Sequence, residues 1–221
     1  MVEPFIKYDI GGAYHWKWYL LNFDKYRDFT NSILKLYPNP GKILDIGCGD
    51  GLMSYLFFRL GFDVVGFDTS EVAIQLAKIV SEKAINDGMG ANVAAVQGTA
   101  YTFGERANLS VRLAQHALKF RRQSIYDLKE ENSYDYAICS EVIEHVEDPL
   151  ELLNNVYCAI RKFAIITTPN GLLPDGSIDK PGTYDYHVWT PETFAELLSN
   201  YNYEFLNLRK GTIGIKLYKE L

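Results

Sequence analysis

Apolar side chains recur at three- and four-residue spacing over residues 14–36, which predicts one or two helices. Pro38, Asn39, Pro40 and Gly41 interrupt that pattern. A short apolar strand is expected over 42–46, running into the glycine-rich turn 47–51 and a helical pattern over 52–60 that Gly61 stops. A second strand over 63–67 ends at Asp68, and Ser70 is placed to cap a helix through about residue 86. Strand and helix alternating in this way, with continuously apolar strands, is the pattern of a parallel sheet in an α/β fold. The alternation lapses after residue 87. Residues 88–117, with Gly88, Gly90, Gly98 and Gly104 and an amphipathic stretch over 109–118, read as an insertion, either a substrate cover or a surface excursion. It resumes with strands at 118–122 and 134–139, a turn between them at 123–127, a helix over 149–160 and a strand over 163–167. A loop rich in Gly, Pro and Asp spans 168–190. Thr190 and Pro191 then open a helix over 191–199, and 203–208 with 212–218 alternate like an antiparallel hairpin around Gly211.

Composition narrows the possibilities. With 221 residues, 48% of them hydrophobic, the chain is long enough for one substantial core. The net charge of −6 does not favour a nucleic-acid partner, whose affinity rests on Lys and Arg neutralising phosphates. Lys119, Arg121 and Arg122 form a local basic group that equally suits a solvated strand edge. Three cysteines, Cys48, Cys139 and Cys158, show no CxxC spacing. A disulfide framework or zinc knuckle is therefore not expected, and a reducing compartment fits. The start of the chain lacks a basic and then apolar leader, and no run approaches the ~18 apolar residues of a membrane span. A cytoplasmic protein with no membrane partner is expected.

The densest chemical signal is Ile43-Leu44-Asp45-Ile46-Gly47-Cys48-Gly49-Asp50-Gly51. Alternate glycines let the main chain turn sharply and let a ligand approach bare backbone. About 20 residues on, Asp68 ends the next strand, where a carboxylate can accept hydrogen bonds from a ribose diol. The spacing is GxGxG rather than the GxGxxG of a dinucleotide fold. Asp45 would repel a pyrophosphate but suits a cationic ligand. S-adenosylmethionine (SAM) carries an ammonium and a sulfonium, and this charge argument favours it over NAD.

These residues resemble the first two motifs of the class I SAM-dependent methyltransferases, as ILDIGCGDG and VVGFDTS. The run from Ser133 to Val146 resembles that family's fourth-strand motif. Thr167-Thr168-Pro169-Asn170 and His187-Val188-Trp189-Thr190-Pro191-Glu192 resemble later blocks of its ubiquinone-biosynthesis-like branch. The resemblance implies a doubly wound, seven-stranded, mostly parallel Rossmann-like sheet with an antiparallel C-terminal hairpin. It also implies an N-terminal helical cap over 1–40 and a SAM-binding domain over 41–221. By position, Asp45, Gly47, Cys48 and Gly49 would line the methionine part of SAM, and Gly51 would let the loop pack closely. Asp68 would hold the ribose, with Thr69 beside the adenine. Ile125 and Tyr126 would flank the adenine or serve as core, and Ser140 and Glu141 would lie near the sulfonium. The family often has a Gly-Gly turn before the fifth strand, where this chain has Ala159-Ile160-Arg161-Lys162.

Methyl transfer from a sulfonium needs alignment and exclusion of water, and a base only if the acceptor must lose a proton. Of the four histidines, His145 and His187 are expected at the carboxyl edge of the sheet as candidate bases; a structural hydrogen bond and a surface-loop position are the alternatives. If 141–145 is helical, Glu141, Glu144 and His145 share a face. With His187 they would make a metal set resembling that of small-RNA terminal 2′-O-methyltransferases, although the same residues occur in metal-free relatives. The reading with no metal is preferred. Tyr8, Tyr14, His15, Trp16, Trp18 and Tyr19 form an aromatic cluster that suits either a pocket wall or ordinary burial. Asp175, Asp179, Tyr184 and Asp185 lie in a loop that is a further candidate for acceptor contact. The expectation is a methyltransferase acting on a small molecule, most readily at oxygen. Its rivals are the metal-dependent enzyme, a non-catalytic SAM-binding protein and an NAD-dependent oxidoreductase.

Overall fold

The computed structural model describes residues 5–87 and 116–220, so residues 88–115 of the expected insertion lie outside the described residues. The chain divides into two compact units, Ile6–Gln123 and Ser124–Leu221, the second also taking in Phe5. Seven strands belong to one mixed sheet.

The first unit begins with α1 (Lys7–Gly11), α2 (Tyr14–Leu21) and α3 (Tyr26–Leu34), with a 3-10 turn at Phe23–Lys25 between the last two. They are followed by β1 (Lys42–Ile46), α4 (Leu52–Arg59), β2 (Asp63–Asp68), α5 (Glu71–Asn86) and β3 (Leu118–Arg122). β2 lies between β1 and β3, parallel to both, with Asp45 opposite Gly66 and Asp68 opposite Arg122. Ile43, Leu44 and Ile46 are buried, as a strand covered on both faces requires. The Ser70 hydroxyl accepts from the Ala73 amide at 3.1 Å and starts α5 where the sequence places its cap. α5 buries a stripe of Ala73, Ile74, Ala77, Ser81 and Ala84, mostly small side chains that let it lie close on the sheet.

In the second unit come β4 (Tyr134–Ser140), α6 (Pro149–Ala159), β5 (Ile160–Pro169), α7 (Pro191–Leu197), β6 (Asn202–Leu206) and β7 (Thr212–Tyr218). β4 and β5 are parallel, and β7 runs antiparallel between β5 and β6. The expected hairpin around Gly211 is present as β6 and β7, and Thr190 with Thr193 forms a capping box ahead of Pro191. β5 begins at Ile160 rather than 163, because α6 passes into it without a left-handed residue. The terminal carbonyls of that helix are taken up instead by the amides of Asn132 (2.8 Å, to Cys158) and Ser133 (2.9 Å, to Ala159). That replaces the Gly-Gly turn the chain lacks. Among the described residues no helix is long and apolar enough to cross a membrane.

Candidate active site

The chain leaves β1 through Gly47, Gly49 and Gly51, at φ of 64°, 54° and 78°, a left-handed region that favours glycine. Asp68, at the end of β2, braces this turn. One carboxylate oxygen accepts from the Gly49 amide at 3.0 Å and the other from the Ser70 amide at 2.8 Å. Burial raises the Asp68 carboxyl above its ordinary range, against the pull of those backbone donors. Thr69 is exposed beside it, its carbonyl accepting from Arg122 Nε at 3.0 Å. A Cβ on Gly51 would stand 2.8 Å from Ala77 Cβ and 2.9 Å from Phe120 Cζ. Gly51→Ala therefore combines overpacking with a disfavoured φ, and is expected to lower stability by about 2–4 kcal/mol in urea denaturation.

Asp45 lies buried at the base of the turn, accepting from Ser54 Oγ at 2.5 Å. Burial pushes its carboxyl from 3.8 up to about 7. Between those values the folded chain holds a proton that the unfolded chain has released. The contribution of Asp45 to stability therefore falls as pH rises through that window, by on the order of 4 kcal/mol in all. Urea midpoints across the window should show this decline, and Asp45→Asn should flatten it. Cys48 is buried too; burial first, and then Asp45, Asp68 and Asp50, push its thiol well up, so it stays neutral.

Asp50, fully buried, ties the N-terminal helices to the turn. Its carboxylate accepts from the His15 amide at 2.8 Å and stands 3.3 Å from His15 Nδ1, and its carbonyl accepts from the Trp16 indole at 2.9 Å. Tyr8 fills the space that a side chain at Gly49 would need, and its ring stacks on Tyr14 at 5.3 Å. His15 stacks on Tyr26 at 5.6 Å. Burial is the main cause raising both phenols, Tyr14 to about 12, so both remain O–H donors.

A second cluster lies at the end of β4, in the other unit. Ser140 Oγ is 2.9 Å from Thr167 Oγ1, and Thr167 donates to Glu141 at 3.2 Å. Thr168 donates to the buried Glu144 at 3.0 Å. Burial, then Glu141 nearby, pushes the Glu144 carboxyl up to about 8. His145 Nδ1 stands 2.9 Å from an Asp185 carboxylate oxygen and 3.2 Å from the Tyr184 carbonyl. Two acceptors at Nδ1 favour the tautomer with its hydrogen there, and Nε2 stands 3.8 Å from Glu144 Oε1. The Glu144 carbonyl accepts from the amides of Tyr186 (2.9 Å) and His187 (3.2 Å), strapping down the loop that carries Asp185. Phe5 packs on both His145 and Tyr184.

A methyltransferase-domain family model matches residues 20–208. The chain belongs to the methyltransferase-domain family. It is 27% identical over 180 residues to the ubiquinone biosynthesis O-methyltransferase of Xanthomonas axonopodis pv. citri, covering 80% of this chain and 56% of that one. To the Rickettsia bellii enzyme of the same name it is 28% identical over 183 residues, covering 76% and 63%. The chain thus spans less than two thirds of the length of these relatives. Magnesium protoporphyrin IX methyltransferase from Synechocystis PCC 6803, solved with bound S-adenosylhomocysteine, shares the fold at a TM-score of 0.62 and 17% identity, covering 97% of each chain. The PH0226 protein from Pyrococcus horikoshii OT3 matches at 0.61 and 21% identity, covering 89% of this chain and 90% of that one.

In this methyltransferase domain Asp45, Gly47, Cys48, Gly49, Gly51, Asp68 and Thr69 gather at one strand-to-helix edge. Ile125 and Tyr126 belong to the other unit and lie against α6. The Ile125 carbonyl accepts from Asn155 at 3.0 Å, and the Tyr126 hydroxyl accepts from the Asp148 amide at 2.9 Å. The expected helical face over 141–145 is not formed. Glu141 sits at φ 57°, Val142 is non-helical, and only a 3-10 turn, Ile143–His145, follows. Of the four residues of the metal alternative, Glu144 Oε1 stands 3.8 Å from His145 Nε2, Asp185 meets His145 Nδ1, Glu141 and Glu144 accept from threonines, and His187 meets the Glu147 carbonyl (3.3 Å) and the Trp189 ring. No three His, Cys, Asp or Glu converge as a metal group among the described residues. Reading the sequence assigned no role to Asp50 and did not pair Asp185 with His145. Asp50 stood inside the glycine motif as a signal, whereas a pairing forty positions apart leaves no local pattern.

Proposed function

We propose that this methyltransferase domain holds SAM on the glycine turn and passes its methyl group to an oxygen of a small molecule. The observation that carries the reading is Asp68. Its carboxylate braces the turn through the Gly49 amide and α5 through the Ser70 amide, and keeps acceptor capacity for a ribose hydroxyl. The carboxylates of Asp50 and Asp68 give the turn a negative field that suits a cation. Bound SAM supplies a methyl group already activated by a positive sulfur. Tyr8 and Tyr14, kept protonated, present donors beside the turn. His145, oriented by Asp185, is the candidate base for an acceptor hydroxyl. The oxygen preference is supported by the relatives named as O-methyltransferases.

Titration calorimetry with S-adenosylhomocysteine should show binding. A radiolabelled methyl group should then appear on catechol or phenol acceptors and not on matched amines, with activity surviving EDTA. Lack of affinity for the nucleoside removes the cofactor reading; transfer to amines alone removes the oxygen assignment; loss with EDTA restores the metal.

A further inference from the structure

α2 buries Trp16 and Tyr19 on one side, yet its outward side is apolar as well, with Trp18, Leu20 (57% exposed) and Leu21 (69%) facing solvent. A helix that is hydrophobic all round ordinarily has cover on both sides. The turn that follows extends this surface. Asn22, Asp24 and Lys25 all adopt left-handed φ, of 51°, 45° and 57°, and between them Phe23 is held outward, 59% exposed, with its ring 5.8 Å from that of Trp18. A side chain disfavours that conformation, less at Asn and Asp than at Lys, and here three such residues surround one projecting aromatic. Ile10 of α1, 78% exposed, adds to the apolar surface of the same N-terminal segment.

Charge identifies what covers it. Residues 5–42 carry six Lys or Arg against three Asp and no Glu, in a chain whose net charge is −6. Lys7, Lys17 and Lys25 are exposed within or beside the apolar stretch, with Arg27 half-buried nearby and Asp9, Asp24 and Asp28 as the local acids. Tryptophan, phenylalanine and leucine interleaved with lysine is the composition of a segment that lies in a membrane interface, its rings at headgroup depth and its ammonium groups on anionic lipid. A second copy would set the net charge of +3 that residues 5–42 carry against the same charge on its partner. We infer that the α2 face and the Phe23 turn form a peripheral docking surface for an anionic phospholipid bilayer. No spanning run is needed for this, so it goes beyond an expectation of no membrane partner that rested on spans. It stands independently of the cofactor reading.

Flotation with phosphatidylcholine vesicles, with and without phosphatidylglycerol, tests it on the full chain. The chain should float with the anionic vesicles and far less with the neutral ones, and added salt should release it. Leu21→Glu with Phe23→Glu should lower vesicle affinity at least about tenfold. Lys17→Glu with Lys25→Glu should lower it by roughly fivefold per lysine or more. Far-ultraviolet circular dichroism and the thermal midpoint should match the unsubstituted chain, which separates lost docking from lost folding. Absence of flotation, equal flotation with neutral vesicles, or flotation unaffected by both double variants overturns the proposal. So does a concentration-dependent dimer that Phe23→Glu dissolves, which would make a second copy the occupant.

Discussion

Asp68→Ala is expected to weaken S-adenosylhomocysteine binding by at least about a hundredfold. A hydrogen bond to an ionised acceptor contributes about 1.5–3 kcal/mol, and a ribose diol offers two. The substitution also frees the amides of Gly49 and Ser70, so the turn loses its brace and α5 one of its N-terminal acceptors. Asp68→Asn keeps the shape and one carbonyl acceptor, and its loss should fall between the two. Titration calorimetry at constant pH measures both, and affinity unchanged in the alanine variant would sink the assignment of the turn. Circular dichroism guards against reading a folding defect as a binding one.

His145→Ala is expected to lower kcat by about 10²–10⁴, the usual worth of a positioned base, and to leave S-adenosylhomocysteine affinity nearly intact. Asp185→Asn should reproduce much of that loss, because an amide can present its NH₂ to Nδ1 and turn the ring to the wrong tautomer. A phenolic acceptor offers a readout that a merely structural histidine would not move. As pH approaches the acceptor's own pKa, more of it arrives deprotonated, so the variant should recover with rising pH relative to the unsubstituted enzyme. A uniform loss at every pH, with a changed thermal midpoint, would instead mark His145 as a support for the 184–187 loop.

The parts of this structure that were legible in the sequence are those that local chemistry dictates. Ser70 and Thr190 cap the helices they precede. The alternate glycines and the acid at the end of the next strand announce the turn and its brace. What escaped depends on contacts distant in sequence. α1 is a five-residue helix held by Tyr8 against Gly49, a contact with no periodic signature. Asp185 meets His145 across a loop of irregular backbone. The helical turn over 141–145 that the metal alternative required is not formed. A left-handed residue at Glu141 intervenes, and nothing in Glu-Val-Ile-Glu-His discloses it.

Asp50 joins two parts of the first unit. Its donors come from the backbone of His15 and the indole of Trp16, so the amino-terminal segment and the nucleoside-facing turn share one anchor. Reshaping residues 8–18 to admit a new acceptor will disturb the turn as well. Under the proposed reading of the turn, variants of this segment chosen for a new acceptor should also be assayed for S-adenosylhomocysteine affinity.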